Sequence, residues 1–321
     1  MKNLIKRALE AKYTDRLFAA LLTAFMIITL LFVSLETSAK ERLELIPFGD
    51  FETWEVDNIK ESGLIGGKTK SIYYIGDDCS PWGTSNAHAK VSGIDKVSTS
   101  VRQLKRPGEG NCCFLSTKLE VVNAAGVVNI KALATGSIYT GIMAKKIGMA
   151  QSKDPASAID MGIPFTKKPT ALVMDYRAHI QDKPAIFANA CLNTKNVKGK
   201  DRGQALVILQ HRWEEDGHIY AYRVGTAHFL IENTDQWIND FHLPIQYGKV
   251  KNVNSYNELS QKRHKARNSK GKMVYIEEKE WRGDLQPTHI IIQISSGSMP
   301  PFTGCPGNVV WCDNIRLAYE D

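Results

Sequence analysis

From Ala171 to Ile180 the chain alternates strictly: Leu172, Met174, Tyr176, Ala178 and Ile180 fall on one side of an extended backbone, and Asp175, Arg177 and His179 on the other. A period of two marks a half-buried strand, because successive side chains point to opposite faces of the pleat. Further β-rich runs cover 127–133, 205–213, 224–231 and 288–295, with Gly and Pro punctuating the intervals. Several short strands separated by turn signals predict a sandwich or barrel. Helix signals are confined to 154–160 and 233–240, each a turn or two, the second capped by Thr234 or Asp235 before Trp237. Neither is long enough for the helical crossover that joins parallel strands.

The first 39 residues have a different character. Lys2, Lys6, Arg7, Lys12 and Arg16 precede an uncharged apolar run from Leu17 to Val33, and small residues follow up to Ala39. Basic, then apolar, then small is the order of a secretory signal cleaved after Ala39. The run is also close to the length of a membrane anchor, about 20 residues. Residues 1–39 are therefore read as a signal peptide or anchor helix, and residues 40–321 as one domain, since no linker, repeat or low-complexity tract divides them. This reading places the protein outside the cytoplasm, in the periplasm, secreted or on the cell surface, with membrane contact only through an uncleaved N-terminal segment.

The net charge of +7 owes much to the 249–272 stretch, which includes Lys262-Arg263-His264-Lys265-Ala266-Arg267. Nucleic-acid binding would interleave such charges with stacking aromatics, and only Tyr256 is near, so this segment is read as a solvated loop and no nucleic-acid partner is expected. The six cysteines form no CxxC, and the eight histidines form no HExxH, which leaves no transition-metal pattern. In an exported chain the Pro306-Gly307-Asn308 turn could bring Cys305 and Cys312 within bridging distance. Nucleotide chemistry has no support either: Gly66-Gly67-Lys68-Thr69 lacks the first Gly of a phosphate loop, Ser62 standing in its place.

Three kinds of site remain. Phe48-Gly49-Asp50-Phe51-Glu52 near the start and Trp311-Cys312-Asp313 near the end would meet if the terminal strands pair, and Asp50, Glu52 and Asp313 could then hold a structural calcium ion through oxygen ligands. No cofactor is otherwise required. A saccharide site needs aromatic planes for the apolar face of a pyranose and planar polar groups for its hydroxyls. Trp82, Trp213 and Trp281 border loops, Asp175, Arg177 and His179 share a polar strand face, and Gln210 and Gln293 lie on neighbouring runs. Trp54, Trp237 and Trp311 have apolar neighbours and read as core. Glycoside hydrolysis would need a carboxyl pair, for which Asp175 and Glu280 are the candidates.

Several stretches together resemble the putative carbohydrate metabolism domain of exported Bacteroides-type proteins. They are Phe51-Glu52-Thr53-Trp54, Pro81-Trp82-Gly83-Thr84-Ser85-Asn86-Ala87, Ala134-Thr135-Gly136-Ser137-Ile138-Tyr139-Thr140-Gly141, Gly162-Ile163-Pro164-Phe165-Thr166, Asp175-Tyr176-Arg177 and Trp311-Cys312-Asp313-Asn314-Ile315-Arg316-Leu317. The resemblance implies an all-β fold, a jelly-roll β-sandwich of two antiparallel sheets with long loops, similar to galactose-binding-like modules. It also implies a role in recognising or metabolising an oligo- or polysaccharide, with glycoside hydrolysis or a structural, adhesive role as alternatives. Such proteins often carry a lipid-anchor cysteine and an N-terminal immunoglobulin-like domain, neither of which is read here. Asn314 stands where the family tends to have a second acid, which weakens the calcium site.

Overall fold

The 171–180 alternation is realised as a strand, Ala171–His179, whose Leu172, Met174, Tyr176 and Ala178 enter the main core. The computed structural model describes residues 41–62, 67–91, 94–124, 128–143, 155–254 and 257–320. The expected signal or anchor segment lies outside them. Residues 42–319 form one compact unit. Its two largest sheets have six and ten strands among the described residues.

In the six-stranded sheet, Ala171–His179 is flanked by Ile238–Pro244 and by Val309–Glu320, which continues to Gly110–Ser116 and Val101–Arg106. The centre of the ten-stranded sheet is formed by His289–Ser295, Gly203–Glu215 and His218–Ile231, with Ser137–Met143 beside the first. Ala205, Val207, Leu209, Val224, Ile290, Ile292 and Ile294 of this sheet share one core with the inward side chains of the other. Two sheets burying a common apolar layer make a β-sandwich. One pairing departs from antiparallel order: His218–Ile231 runs parallel to Met273–Trp281.

The terminal segments meet as expected. Glu41–Leu45 pairs with Val309–Glu320, Ile46 N–H donates to Ile315 C=O at 3.0 Å, and Ile315 N–H donates to Gly49 C=O at 2.9 Å. Asn314 explains itself here, because its φ of 51° lies in the left-handed region that Asn tolerates better than most residues. The register shifts at this point, so Cys312 and Ile315 both face the core although three positions apart. At the other edge, only glycine fits at 83: a Cβ there would stand 2.4 Å from the Tyr139 ring.

Two helix expectations resolve differently. Pro155–Ala158 forms one 3₁₀ turn, whereas Ile238–Pro244 is a strand. Thr234 prevents the second helix, since its hydroxyl accepts from Ala178 N–H at 2.9 Å and its N–H donates to Ala178 C=O, docking the segment on a neighbouring strand. The basic 249–272 stretch is also more than a solvated loop. Lys265–Arg267 pairs with Met273–Trp281, and His264 and Ala266 are buried against the ten-stranded sheet.

Burial pushes His264 down to about 3, and His228 and His289 down to about 4. Unfolded, these rings titrate near 6.5, so between the folded and unfolded values the unfolded chain binds more protons. The stability they contribute is complete above about 6.5 and is lost as pH falls toward 4. Their share of the stability is expected to fall by roughly 2–3 kcal/mol between pH 7 and 4.5, after discounting the two partly exposed rings. It is read by comparing denaturant melts of wild-type protein and His264→Gln at both pH values, because the raised Asp313 and Asp201 carboxyls act in the opposite sense. A wild-type pH dependence identical to that of the folded variant would contradict the assignment for His264.

Candidate functional site

Alternation in the ten-stranded sheet leaves a second set of side chains facing away from the core. Ala205, Ile292, Ile294 and Ile138 point inward, so Gln204, Gln293 and Tyr139 point outward. These three form the floor of a cleft of about 510 Å³, within the ~300–1,000 Å³ range of ligand sites. A much smaller crevice of about 90 Å³, between Ile46, Phe165 and Tyr319, is almost wholly apolar.

Walls rise from elements outside the two main sheets. Ile94–Ser98 contributes Lys96 and Ser98, Lys118–Ala124 contributes Glu120, and the 297–302 turn contributes Met299 and Phe302. That turn is held from below by fully buried Asp201, which accepts from Ser298 N–H at 2.9 Å, Cys305 N–H at 3.0 Å and Asn308 Nδ2 at 3.2 Å. Burial raises the Asp201 carboxyl, and the backbone N–H bonds oppose that rise. Phe302 takes a left-handed φ of 62°, a strain that the anchored turn sustains.

Charge in the cleft is unevenly committed. The Glu61 carboxylate accepts from Val97 N–H at 2.9 Å and faces Lys70 at 3.3 Å and Lys96 at 3.8 Å. Glu120 accepts the Ser98 hydroxyl at 3.1 Å, and the ammonium of Lys118, two residues earlier on the same strand, acts on it electrostatically. On the floor, neither the Gln204 nor the Gln293 amide has a hydrogen-bond partner among the described residues, although both side chains are partly buried. Each amide therefore presents a free carbonyl and NH₂ group to whatever enters.

Of the sequence candidates, only Gln293 lies in this cleft. Trp82 is a core residue, 6% exposed, with Nε1 donating to Pro47 C=O at 2.9 Å, so it offers no open ring face. Trp213 packs against Tyr222 and Tyr220 with ring centroids 4.6 and 5.6 Å away, and Trp281 lies beside Arg223. Gln210 is spent on Glu278. Arg177 reaches over Trp311, which faces outward against Phe114 rather than into the core, and His179 meets Gln181. Trp54 packs against the core and Trp237 covers Arg106.

Asp175 is also removed from the solvent. It is paired across strands with Asp313, and Arg106 Nη1 donates to both, at 2.9 and 2.8 Å, while Asn239, Asn314 and Arg316 complete the network. Burial pushes Asp313 up to about 6 against the pull of Arg106. For Asp175 burial acts the same way, but bonds from Asn314, Asp240 N–H and Arg106 outweigh it and hold the carboxyl below its usual range. Divergent carboxyls of this kind can mark an acid/base pair. Neither of the two clefts described above is lined by them, and their bonds across the strands tie the six-stranded sheet together. Glu280, exposed beside Arg282 on Met273–Trp281, belongs to the ten-stranded sheet and is not part of that network.

The proposed calcium ligands do different work. Asp50 accepts from Glu52 N–H, Glu52 clamps Asn111 through its backbone N–H at 2.7 Å and its Nδ2 at 2.6 Å, and Asp313 is bound to Arg106. Among the described residues no three His, Cys, Asp or Glu side chains converge on a metal position. Cys305 and Cys312 are free thiols, and Cys312 stands in register with Cys113 instead.

Glu61, Lys70, Lys96, Glu120 and Gln204 escaped the sequence reading. A signal existed for Gln204, which precedes the alternating Ala205, Val207 and Leu209, as it did for Gln293, which interrupts an isoleucine run. The wall residues have none, because long-range packing brings them over the sheet.

No curated protein matches the chain. Among solved structures, a putative glycoside hydrolase from Bacteroides thetaiotaomicron aligns at 17% identity and a TM-score of 0.47, over 85% of this chain and 70% of that one. A putative glycoside hydrolase from Bacteroides vulgatus aligns at 14% identity and a TM-score of 0.43, over 86% of this chain and 96% of that one. The model of the putative carbohydrate metabolism domain matches residues 50–318, nearly the whole described unit, and the chain belongs to that family.

Proposed function

We propose that this chain binds an oligo- or polysaccharide in the cleft over the ten-stranded sheet, as an extracytoplasmic jelly-roll module. The observation that carries this reading is the pair of unpartnered amides, Gln204 and Gln293, on the floor of a 510 Å³ cleft. Planar amides with free donors and acceptors suit sugar hydroxyls, and Phe302 and Met299 offer apolar surface for ring C–H groups. Membership of a carbohydrate metabolism family supports the ligand class, and the basic-apolar-small order of residues 2–39 supports export. Binding is favoured over hydrolysis because the latter uses two carboxyl groups at the scissile bond. Glu61 is committed to Val97 and two lysines, which leaves Glu120 as the one other carboxylate among the described lining residues.

A glycan array followed by calorimetry on residues 40–321 tests this. Micromolar to millimolar binding is expected, and Gln293→Ala is expected to weaken it about tenfold, the equivalent of one or two lost hydrogen bonds. Absence of binding across plant, host and bacterial glycans, or binding indifferent to both Gln293→Ala and Gln204→Ala in folded protein, would overturn the assignment.

A further inference from the structure

Two cysteines face each other across the six-stranded sheet. Cys113 on Gly110–Ser116 and Cys312 on Val309–Glu320 are antiparallel partners in register, both fully buried and both within the main core. Residues directly opposite in such a pair have Cα atoms about 4.5–5.5 Å apart, inside the ~4.4–6.8 Å span of disulfides. Their thiols are in hydrogen-bonding contact. The other four cysteines are placed differently. Cys112 stands opposite Leu104 and, one position along the strand, turns to the other face of the sheet. Cys191 donates to Lys131 C=O, Cys305 lies in the turn anchored by Asp201, and Cys79 is exposed.

We infer that Cys113 and Cys312 are a disulfide site, closed by thiol–disulfide exchange as the six-stranded sheet assembles. The oxidant is a small or protein disulfide of the glutathione kind. One thiol loses its proton and its thiolate attacks a sulfur of that oxidant, expelling a thiolate; the second then attacks the mixed disulfide. An S–S bond forms in the chain, two electrons and two protons pass to the oxidant, and the oxidant's own disulfide becomes two thiols. Burial raises the Cys113 thiol well above its usual range, and the neighbouring Cys312 adds to that rise. In the finished sheet the attacking thiolate is therefore scarce and shielded, so exchange belongs to the stage before the core closes. Once made, the bond ties the last strand to one far back in the chain and constrains the unfolded state over a long loop, which stabilises the fold. None of this depends on the cleft or its ligand.

The full chain, unfolded with reductant and refolded in a buffer of reduced and oxidised glutathione, tests the site. Remaining thiols are blocked with N-ethylmaleimide, and peptides are mapped without reduction. Fragmentation of the linked peptides is expected to place the bond between Cys113 and Cys312, and the oxidised chain is expected to melt about 5–10 °C above the reduced one. Cys112→Ala and Cys305→Ala should keep the link, whereas Cys113→Ala should lose it. Already folded, reduced chain should oxidise at least ~10-fold more slowly in the same buffer. No link in wild-type protein, or one made through Cys112 or Cys305, would overturn the site even if the variants failed to fold. Equal rates for the folded and refolding chains would overturn closure during assembly.

Discussion

Replacing Arg106 with methionine is expected to lower the unfolding free energy by about 3–5 kcal/mol at pH 7.5, the usual cost of leaving buried charge unpaired. Asp175 and Asp313 are 5% and 1% exposed, and both depend on the same guanidinium nitrogen. The pH dependence identifies the mechanism. Asp313 is already raised to about 6 with Arg106 in place, and loss of the cation raises it further. A carboxyl raised in the folded state favours folding at low pH and loses that contribution as pH rises from its unfolded value, near 4, through its folded value. The deficit of the variant is therefore expected to shrink at pH 5, where Asp313 takes up a proton and the network becomes less negative. Guanidinium or urea melts at both pH values decide the matter, and a deficit that is constant or larger at pH 5 would exclude this account.

Glu278→Ala is expected to cost a similar amount, about 3–5 kcal/mol. Arg223 is fully buried, and Glu278 accepts from its Nε and Nη2, from Gln210 at 2.6 Å and from Ser260 N–H at 2.9 Å. Burial alone would raise the Glu278 carboxyl, but Arg223 and these bonds hold it below its usual range. The pair closes the ten-stranded sheet where His218–Ile231 and Met273–Trp281 run parallel, with Trp281 covering the guanidinium. Its loss should therefore destabilise the sheet without acting on the cleft directly. A double-mutant cycle is the check: Arg223→Met combined with Glu278→Met should cost less than the sum of the single changes, because the second removes the charge stranded by the first. Additive costs would show that the two side chains contribute independently.

Local pattern made much of the fold legible. Alternation at 171–180 identified the inward set in the strand that formed, and the apolar runs at 205–213 and 288–295 mark strands that do pair. Alternation was less informative about the opposite face, because polarity does not distinguish a solvated side chain from one buried in an ion network. Asp175 illustrates this: its strand position was readable, but its burial depends on Arg106, 69 positions away, and Asp313. The bulge at Asn314 likewise offsets the period by one, since the left-handed residue breaks parity between Cys312 and Ile315.

The tryptophans followed the same division. Neighbouring residues suggested which rings were exposed, yet Trp82 is buried and Trp311 faces outward, because ring burial depends on what another strand lays across it. Gln293 could be singled out by the isoleucines around it, whereas Glu61 and Glu120 could not.

By itself, the sequence determined that the chain would form strands, which faces of the longest ones would turn inward, and that its two ends would meet in one family-wide domain. Period-two hydrophobicity and turn residues act over a few positions, so they are written locally. Tertiary structure alone decided where a ligand could enter. The cleft exists because a hairpin, a strand from another hairpin and a turn anchored by Asp201 stand over one sheet face, and its charges meet there, with Lys70 and Lys96 turned to Glu61 and Lys118 acting on Glu120. Such burial and charge balance depend on distances between residues far apart in the chain, and no local pattern encodes them.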